Sequence, residues 1–295
     1  MEQITVRVPA STSNLGPGYD CLGVALRIYN TVTMARSASR RHFHPRIVSE
    51  AAGRFFNQTH RRAFSFSCLI TEQIPRSRGL GSSATIRLGV LLALNGLSGN
   101  LLDRLKIFQL CAELEGHPDN AAPAIFGGFT VATGRDAATR RPYQRFEVSR
   151  RLYFVLLVPD IEIQTSRARN VLPSKVSHAA AADNCANACA ITAAFASQDY
   201  EKLRGAFSDH LHQPYRVRLV PFLPTVVAAA EKAGALGAFL SGSGSTIAAV
   251  TLRSAKEVGQ AMLRATGAIP ARTIITHADN RGACVIRSPI TDHRS

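Results

Sequence analysis

The chain has 295 residues, of which 46% are apolar and 19% charged, with a formal net charge of +15 at pH 7. This composition is ordinary for a globular enzyme, and no uninterrupted apolar run of about 18 residues is present, which excludes a transmembrane helix. The first residues, MEQITVRVPA, alternate like a strand and lack the apolar centre of a signal peptide. We therefore expect a cytoplasmic protein with no membrane partner.

The predicted elements mix strands and helices along the whole chain. The first half is predicted to hold strands over 3–9 and 24–34, a strand with a polar connection over 40–58, helices over 61–72, 86–95 and 101–115, and strands over 127–132 and 145–148. The second half is predicted to hold a buried strand over 152–158, helices over 176–208, 222–233 and 254–266, and strands over 237–240, 246–251, 271–276 and 282–287. This pattern predicts an α+β protein of two domains, which we divide into 1–151 and 152–295.

Arginine is clustered over 36–46, 54–62 and 135–151. A basic chain suggests nucleic-acid binding, but these clusters carry no recognisable nucleic-acid module, so we interpret them as solvated surface and expect no specific nucleic-acid partner. Cysteine forms no C-x-x-C pair. Cys185 and Cys189 stand one helical turn apart, where we expect buried thiols rather than a metal site.

A glycine-serine loop directly precedes an apolar helix. Glycines let the backbone approach a ligand closely, and the free N–H groups at the start of a helix hold anions. The loop matches neither the P-loop nor the Rossmann fingerprint. We predict a phosphate-binding, ATP-binding loop, with a helix merely capped by its own serine as the alternative. Its residues are Pro75, Arg76, Ser77, Arg78, Gly79, Leu80, Gly81, Ser82 and Ser83.

Three further motifs accompany this loop: VPASTSNLGPGYD at 8–20, ELEGHPDNAAP at 113–123 and LSGSGST at 240–246. In this order and at these distances, the four motifs resemble those of the GHMP kinase superfamily. The forms of the first and third motifs are similar to those of homoserine kinases. The resemblance spans nearly the whole chain. It implies an N-terminal domain of ribosomal-protein-S5-like fold and a ferredoxin-like C-terminal domain.

The resemblance also implies an activity, the ATP-dependent phosphorylation of the homoserine hydroxyl with Mg²⁺. Motif matching assigns the metal to Ser83 and Glu113, and Glu115 remains the alternative ligand. Mg²⁺ takes few protein oxygens and keeps phosphate and water as its other ligands, which suits such a pair. No residue matches a catalytic base, although His117 is kept open in that role.

Substrate contacts follow from the same matching. The family places an asparagine and an aspartate on the ammonium group and two arginines on the carboxylate, which a guanidinium grips with parallel donors. On their own, Asn14 and Asp20 could equally be turn residues that bond their own backbone. Arg167 and Arg218 are assigned to the surface. The implied substrate-binding residues are Asn14, Asp20, His117, Asn120, Thr165, Arg169 and Arg216.

Two departures from the family pattern stand near these motifs. Arg87 lies one turn into the helix after the loop, where small residues are usual, and Ser245 stands where proline is common. Neither removes a matched residue. A kinase for another small alcohol and a catalytically silent binding protein remain the rival hypotheses. The expected partners are ATP and homoserine, and a homodimer is left open.

Overall fold

The computed structural model describes residues 3–38, 43–133 and 143–286. Its helices are α1 (Arg46–Thr59), α2 (Ser82–Leu97), α3 (Arg104–Glu115), α4 (Ala121–Phe126), α5 (Thr165–Asn170), α6 (His178–Ser197), α7 (Gln213–Arg216), α8 (Leu223–Lys232) and α9 (Ala255–Arg264). Its strands are β1 (Gln3–Asn14), β2 (Gly18–Arg36), β3 (Phe66–Thr71), β4 (Phe129–Ala132), β5 (Tyr143–Phe146), β6 (Tyr153–Pro159), β7 (Gly237–Leu240), β8 (Ile247–Thr251), β9 (Ala271–His277) and β10 (Cys284–Ile286). A short 3-10 helix spans Tyr200–Leu203.

The strands form two antiparallel sheets. The larger follows the order β10-β1-β2-β4-β5, and β3 pairs with the far end of the long strand β2. The smaller follows the order β7-β8-β6-β9. The strands predicted over 127–132 and 145–148 correspond to β4 and β5, which pair antiparallel with each other.

Three clusters of buried apolar side chains pack the helices and the two sheets together. The first packs helices α1 to α4 on one face of the large sheet, with Val6, Val8 and Val32 directed toward the helices. The second joins the large sheet to β6, β8 and α6, and the third packs α8 and α9 on the small sheet. Burial of these faces is the main favourable contribution to folding, because apolar area removed from water stabilises by about 25 cal/mol per Å².

Two sequence predictions in the first half were wrong. Within the stretch over 40–58, the residues from Arg46 onward form helix α1, whose buried residues Val48, Ala51 and Phe55 recur at helical spacing among the arginines. The stretch over 61–72, predicted as a helix, contains strand β3 instead. There, buried and exposed positions alternate, so that Leu69 is 66% exposed on the outer face. Positions 39–42 and 134–142, in which parts of two arginine clusters fall, lie outside the described residues.

The last strand returns across the predicted domain boundary at 151/152. β10 pairs antiparallel with β1, Arg7 lying opposite Cys284. The C-terminal strand β10 thus forms part of the N-terminal sheet. The domain boundary at 151/152 stays a prediction. None of the helices in the described ranges combines the length and apolarity that a membrane crossing needs.

Asn30 on β2 holds the segment that leads into the glycine-serine loop. Its side-chain oxygen accepts hydrogen bonds from the N–H groups of Gln73 and Ile74, and its Nδ2 donates to the buried hydroxyl of Thr85 in α2. One buried amide thus fixes both the entry to the loop and the helix that follows it. Buried polar groups with all partners in place make such positions rigid.

Candidate active site

The four sequence motifs meet around one cavity of about 450 Å³. The N-terminal strands, the glycine-serine loop, the segment before α4, helix α5 and the turn after β7 all contribute to its walls. All seven predicted substrate residues line it. Of the predicted loop residues, Arg76 is outside the cavity, and so is the predicted metal residue Glu113. The predicted residues that it brings together are Asn14, Asp20, Pro75, Ser77, Arg78, Gly79, Leu80, Gly81, Ser82, Ser83, His117, Asn120, Thr165, Arg169 and Arg216.

Residues 79–83, which we call the phosphate cradle, end in the first turn of α2. Gly81 precedes this helix with a φ of +68°, and no side chain caps the helix start. The N–H groups of the first turn therefore keep no side-chain acceptor, and the helix dipole places positive charge there. This is the arrangement that holds a phosphate at a helix N-terminus.

The turn after β7 fixes the cradle from the opposite side. The Ser241 hydroxyl donates to the Gly79 carbonyl at 2.7 Å, and the Thr246 N–H donates to the Arg78 carbonyl at 3.1 Å. Gly79 has a φ of +74°, and a Cβ there would lie 2.0 Å from the Ser241 carbonyl oxygen. The close approach of two backbones explains the glycine at this position.

Replacing Gly79 by alanine is expected to damage both stability and ATP binding, because the methyl group meets backbone rather than a flexible side chain. Gly99→Ala is the matched control, since Gly99 also has positive φ (+86°) but nothing within 4 Å of the added carbon. The control should cost about 1–2 kcal/mol, the usual cost of left-handed backbone. Urea unfolding and the KM for ATP measure both effects. Equal losses in the two variants would contradict the contact with Ser241.

The arginines of the loop are held by carboxylates and carbonyls. The guanidinium of Arg78 donates to the Pro159 carbonyl and to Asp160, and Glu162 lies within ion-pair distance at 3.4 Å. Arg76 pairs with Glu72 on the surface. These contacts favour a structural role for both side chains, and the cradle's positive end comes from backbone N–H groups instead.

The two candidate metal carboxylates lie in different surroundings. The Ser83 hydroxyl donates to Glu115 Oε2 at 2.8 Å, and the other oxygen of Glu115 pairs with Arg87. The Glu115 side chain is 7% exposed, whereas that of Glu113 is 39% exposed and pairs with Arg54 away from the cavity. The geometry thus brings Ser83 together with Glu115, the alternative that the sequence left open, and not with Glu113.

Asp20 and Arg169 form a bidentate pair inside the cavity. Their nitrogen–oxygen distances are 2.6 and 3.0 Å, and Arg169 also donates to the Tyr19 hydroxyl at 2.8 Å. Asn14 uses both ends of its amide on backbone, donating to the Gly242 carbonyl and accepting from the Asp20 N–H. The predicted ammonium and carboxylate partners are therefore adjacent, and in this structure they pair with each other.

Arg216 also lines the cavity and is only 2% exposed. Its Nε donates to the Ala168 carbonyl and its Nη1 to the Gly242 carbonyl. Nη1 also lies 3.2 Å from Nδ1 of His212, whose Nε2 lies 2.8 Å from the Gly16 carbonyl. A neutral imidazole with its proton on Nε2 satisfies both contacts. Burial lowers the pKa of His212 to about 4, which keeps that neutral form.

The buried neutral His212 predicts a loss of stability in acid. Its folded pKa lies below the unfolded value of about 6.5, so the unfolded chain binds the proton first and stability falls as the pH drops below that value. The expected loss between pH 6.5 and 5 is about 1.5–2 kcal/mol, and it should be missing in His212→Gln. His210→Gln, a half-buried neighbour, serves as control. Urea unfolding at several pH values measures it, and unchanged pH dependence in His212→Gln would refute a neutral His212.

His117 and Asp119 form a second buried pair, joined by a 2.6 Å contact between Nδ1 and Oδ1. Burial alone would lower the pKa of His117, but the hydrogen bond and charge of Asp119 raise it overall. Asn120 lies beside them, its oxygen accepting from the Ser11 hydroxyl at 2.8 Å. This side of the cavity presents a polar, hydrogen-bonded wall between the cradle and the Asp20–Arg169 pair.

The sequence analysis assigned no role to eight residues that line the cavity: Ser13, Tyr19, Asp119, Ile163, Gln164, Ser166, Gly242 and Ser243. Five of the eight stand inside the quoted motifs, and the other three lie at the start of α5 or just before it. Tyr19 is the aromatic position of the first motif, and its ring lies 5.5 Å from the guanidinium of both Arg169 and Arg216. An aromatic residue beside a turn is most often core, so its position alone gave no signal of a contact with two arginines.

Comparisons with known proteins identify the family of the chain. The family profile described as GHMP kinases N terminal domain matches residues 46–128, and that described as GHMP kinases C terminal matches residues 191–269. A homoserine kinase of Clostridium botulinum (strain Alaska E43 / Type E3) is 33% identical over 296 residues, 96% of this chain and 99% of the relative. This chain belongs to the homoserine kinase family of GHMP kinases. A further family member, from Moorella thermoacetica, is 37% identical over 272 residues, 88% and 91% of the two chains.

Solved structures of GHMP kinases share the fold. The crystal structure of homoserine kinase from Cytophaga hutchinsonii aligns over 97% of this chain and 98% of its own, with a TM-score of 0.88 and 27% identity. The mevalonate kinase of Methanococcus jannaschii aligns with a TM-score of 0.67 at 14% identity, which bears on the fold alone. The predicted two-domain α+β GHMP kinase fold is confirmed.

Proposed function

We propose that this protein transfers the γ-phosphoryl group of ATP to the side-chain hydroxyl of L-homoserine, forming O-phospho-L-homoserine on the path to threonine. One observation carries the proposal: a single cavity holds a phosphate cradle together with groups suited to an amino-acid head group. Relatives that align over nearly the whole chain are homoserine kinases. The cytoplasm is the proposed place of reaction, and a homodimer is left open.

The cradle would hold the phosphates of ATP. Phosphoryl transfer depends mainly on positioning and on stabilising charge, and N–H groups at the start of α2 supply fixed positive dipoles. The hydroxyl oxygen of the substrate attacks the γ-phosphorus while the bond to the β–γ bridging oxygen breaks. The hydroxyl proton passes to an oxygen of the transferred phosphoryl group, and ADP leaves. We assign no side chain as base. Because Asp119 raises the pKa of His117, less of the neutral imidazole is present near neutral pH.

Ser83 and Glu115 are the residues we propose for Mg²⁺. Their oxygens lie 2.8 Å apart at the first turn of α2 and are of the hard type that this ion prefers. The bound ion would neutralise charge on the ATP phosphates. Glu113 is less suited to hold the ion, because its side chain pairs with Arg54 outside the cavity.

Homoserine would enter beside the Asp20–Arg169 pair. A zwitterionic amino acid offers a cation to Asp20 and an anion to Arg169 and Arg216, so every charge remains paired when the substrate displaces their mutual contact. The Arg169 side chain is 30% exposed and can adjust, while Arg216 is fixed by three hydrogen-bond contacts. We propose Asn14, His117, Asn120 and Thr165 as the remaining contacts of the substrate.

A panel of alcohols assayed for ADP release with Mg-ATP tests this function. The panel contains L-homoserine, L-serine, L-threonine, 3-aminopropan-1-ol, 4-hydroxybutanoate and mevalonate, which vary the head group and the chain. We expect the highest kcat/KM for L-homoserine. A higher value for an alcohol without an amino-acid head group would support the rival kinase, and no ADP release with any of them would support a silent binding protein.

A further inference from the structure

A second cavity, of about 350 Å³, is lined by four arginines on the face of the large sheet opposite to helices α1 and α2. Arg7 and Arg27 come from β1 and β2, and Arg150 and Arg281 from the loops beside them. We call it the rear arginine pocket. It shares no lining residue with the candidate active site. Arg7 lies six residues before Ser13 on β1, a separation of about 20 Å along a strand.

The guanidinium groups of this pocket make few hydrogen bonds to the described residues of the protein. The Nε of Arg7 is buried and has no hydrogen-bond partner among the described residues. Its guanidinium lies 4.6 Å from the centre of the Tyr29 ring. Within the part of the chain that the structure describes, Arg27 uses only its Nε, which donates to the Ala278 carbonyl. In the described ranges, the guanidinium groups of Arg150 and Arg281 make no hydrogen bond or ion pair.

One carboxylate, that of Asp279, lies in the same pocket, but its oxygens are already occupied. Oδ2 accepts from the Tyr29 hydroxyl at 2.8 Å, and Oδ1 accepts from the N–H groups of Arg281 and Gly282 at 2.7 Å. Within the described part of the chain it forms no ion pair with any of the four arginines. Four guanidinium groups against one carboxylate leave a formal charge of +3 around the pocket, and like charges around one cavity repel each other.

We propose that the rear arginine pocket binds a multiply charged phosphate or carboxylate anion. Guanidinium groups match the paired oxygens of these anions with parallel donors, and all four basic side chains here are arginine. The cavity is of the size that holds a small metabolite. The proposal does not depend on the proposed kinase activity, because the two sites have no residue in common.

Equilibrium dialysis with radiolabelled phosphate and, separately, radiolabelled citrate tests this site. The protein is saturated with a non-hydrolysable ATP analogue to fill the cradle, and ionic strength is held constant. We expect wild type to bind at least one of the two anions saturably. Arg150→Gln/Arg281→Gln should bind at least about a hundredfold more weakly, since each charge-assisted contact contributes about tenfold. Both side chains are exposed, so the fold should be unaffected.

Arg253→Gln/Arg264→Gln is the control, because it removes two exposed arginines away from the rear arginine pocket, one just after β8 and one at the end of α9. Arg7→Gln should weaken binding as the first pair does. Binding of phosphate alone would identify a phosphate-type ligand, and binding of citrate alone a carboxylate ligand. Absence of saturable binding for both probes, or an equal loss in the control pair, would overturn the proposal.

Discussion

Glu115→Gln is expected to lower turnover at least about a hundredfold, while Glu113→Gln stays near wild type. Both substitutions remove one negative charge from α3, but only Glu115 faces Ser83. Loss of a group that holds or orients a metal typically costs tenfold or more in affinity or activity. Steady-state rates over a Mg²⁺ titration provide the measurement.

Arg87 complicates this experiment, because its side chain is only 15% exposed and its guanidinium would lose the ion pair with Glu115 in Glu115→Gln. A buried charge without a partner destabilises the fold. Ser83→Ala is therefore included, since it leaves the Arg87–Glu115 pair intact, and urea unfolding checks the fold of each variant. Strong loss of activity in Glu113→Gln with normal rates in Glu115→Gln would return the metal assignment to Glu113.

Asp20→Asn should reduce kcat/KM for L-homoserine by about 30-fold to several thousand-fold, with little change in the KM for ATP. Asparagine keeps the size and hydrogen bonding of aspartate but removes the charge that faces the substrate ammonium and Arg169. Removing one partner of a desolvated charge pair costs about 2–5 kcal/mol. Arg216→Lys should show the same asymmetry between the two substrates, because lysine cannot form the bidentate fork.

Asp20→Asn also distinguishes two roles for Asp20, binding of the substrate ammonium and orientation of Arg169. If Asp20 binds the ammonium group, 4-hydroxybutanoate, which lacks it, should lose much less on going from wild type to Asp20→Asn than L-homoserine does. Equal losses for both substrates would mean that Asp20 acts only by orienting Arg169. Arg167→Gln, in the same helix α5 but exposed and outside the cavity lining, is the control for charge alone.

The sequence located the cavity because the residues that build it stand in short motifs at tight turns. Asn14 and Asp20 both adopt positive φ, and a motif fixes such a turn locally. The pairing of Asp20 with Arg169 joins residues 149 positions apart, so it depends on how the two domains pack. No local sequence pattern predicts the Asp20–Arg169 pair. The same holds for the ion pair between Arg78 and Asp160.

Helical spacing also distinguishes Glu113 from Glu115. Glu115 shares its helical face with the buried Phe108 and Cys111, at spacings of seven and four, whereas Glu113 does not. The predictions for the segments of α1 and β3 were wrong because the apolar pattern of each was misleading. In α1, the arginines between the apolar residues obscure the helical spacing, and in β3, the exposed Leu69 gives the sequence the spacing of an amphipathic helix.

The identity of the phosphorylated product tests the central claim most directly. The protein is incubated with L-homoserine and Mg-ATP, and the mixture is followed by ³¹P and ¹H NMR with ADP counted in parallel. We predict one phosphate ester, on the side-chain oxygen of homoserine, formed in a one-to-one ratio with ADP. ADP release that does not require homoserine, or that leaves homoserine unmodified, would contradict the account.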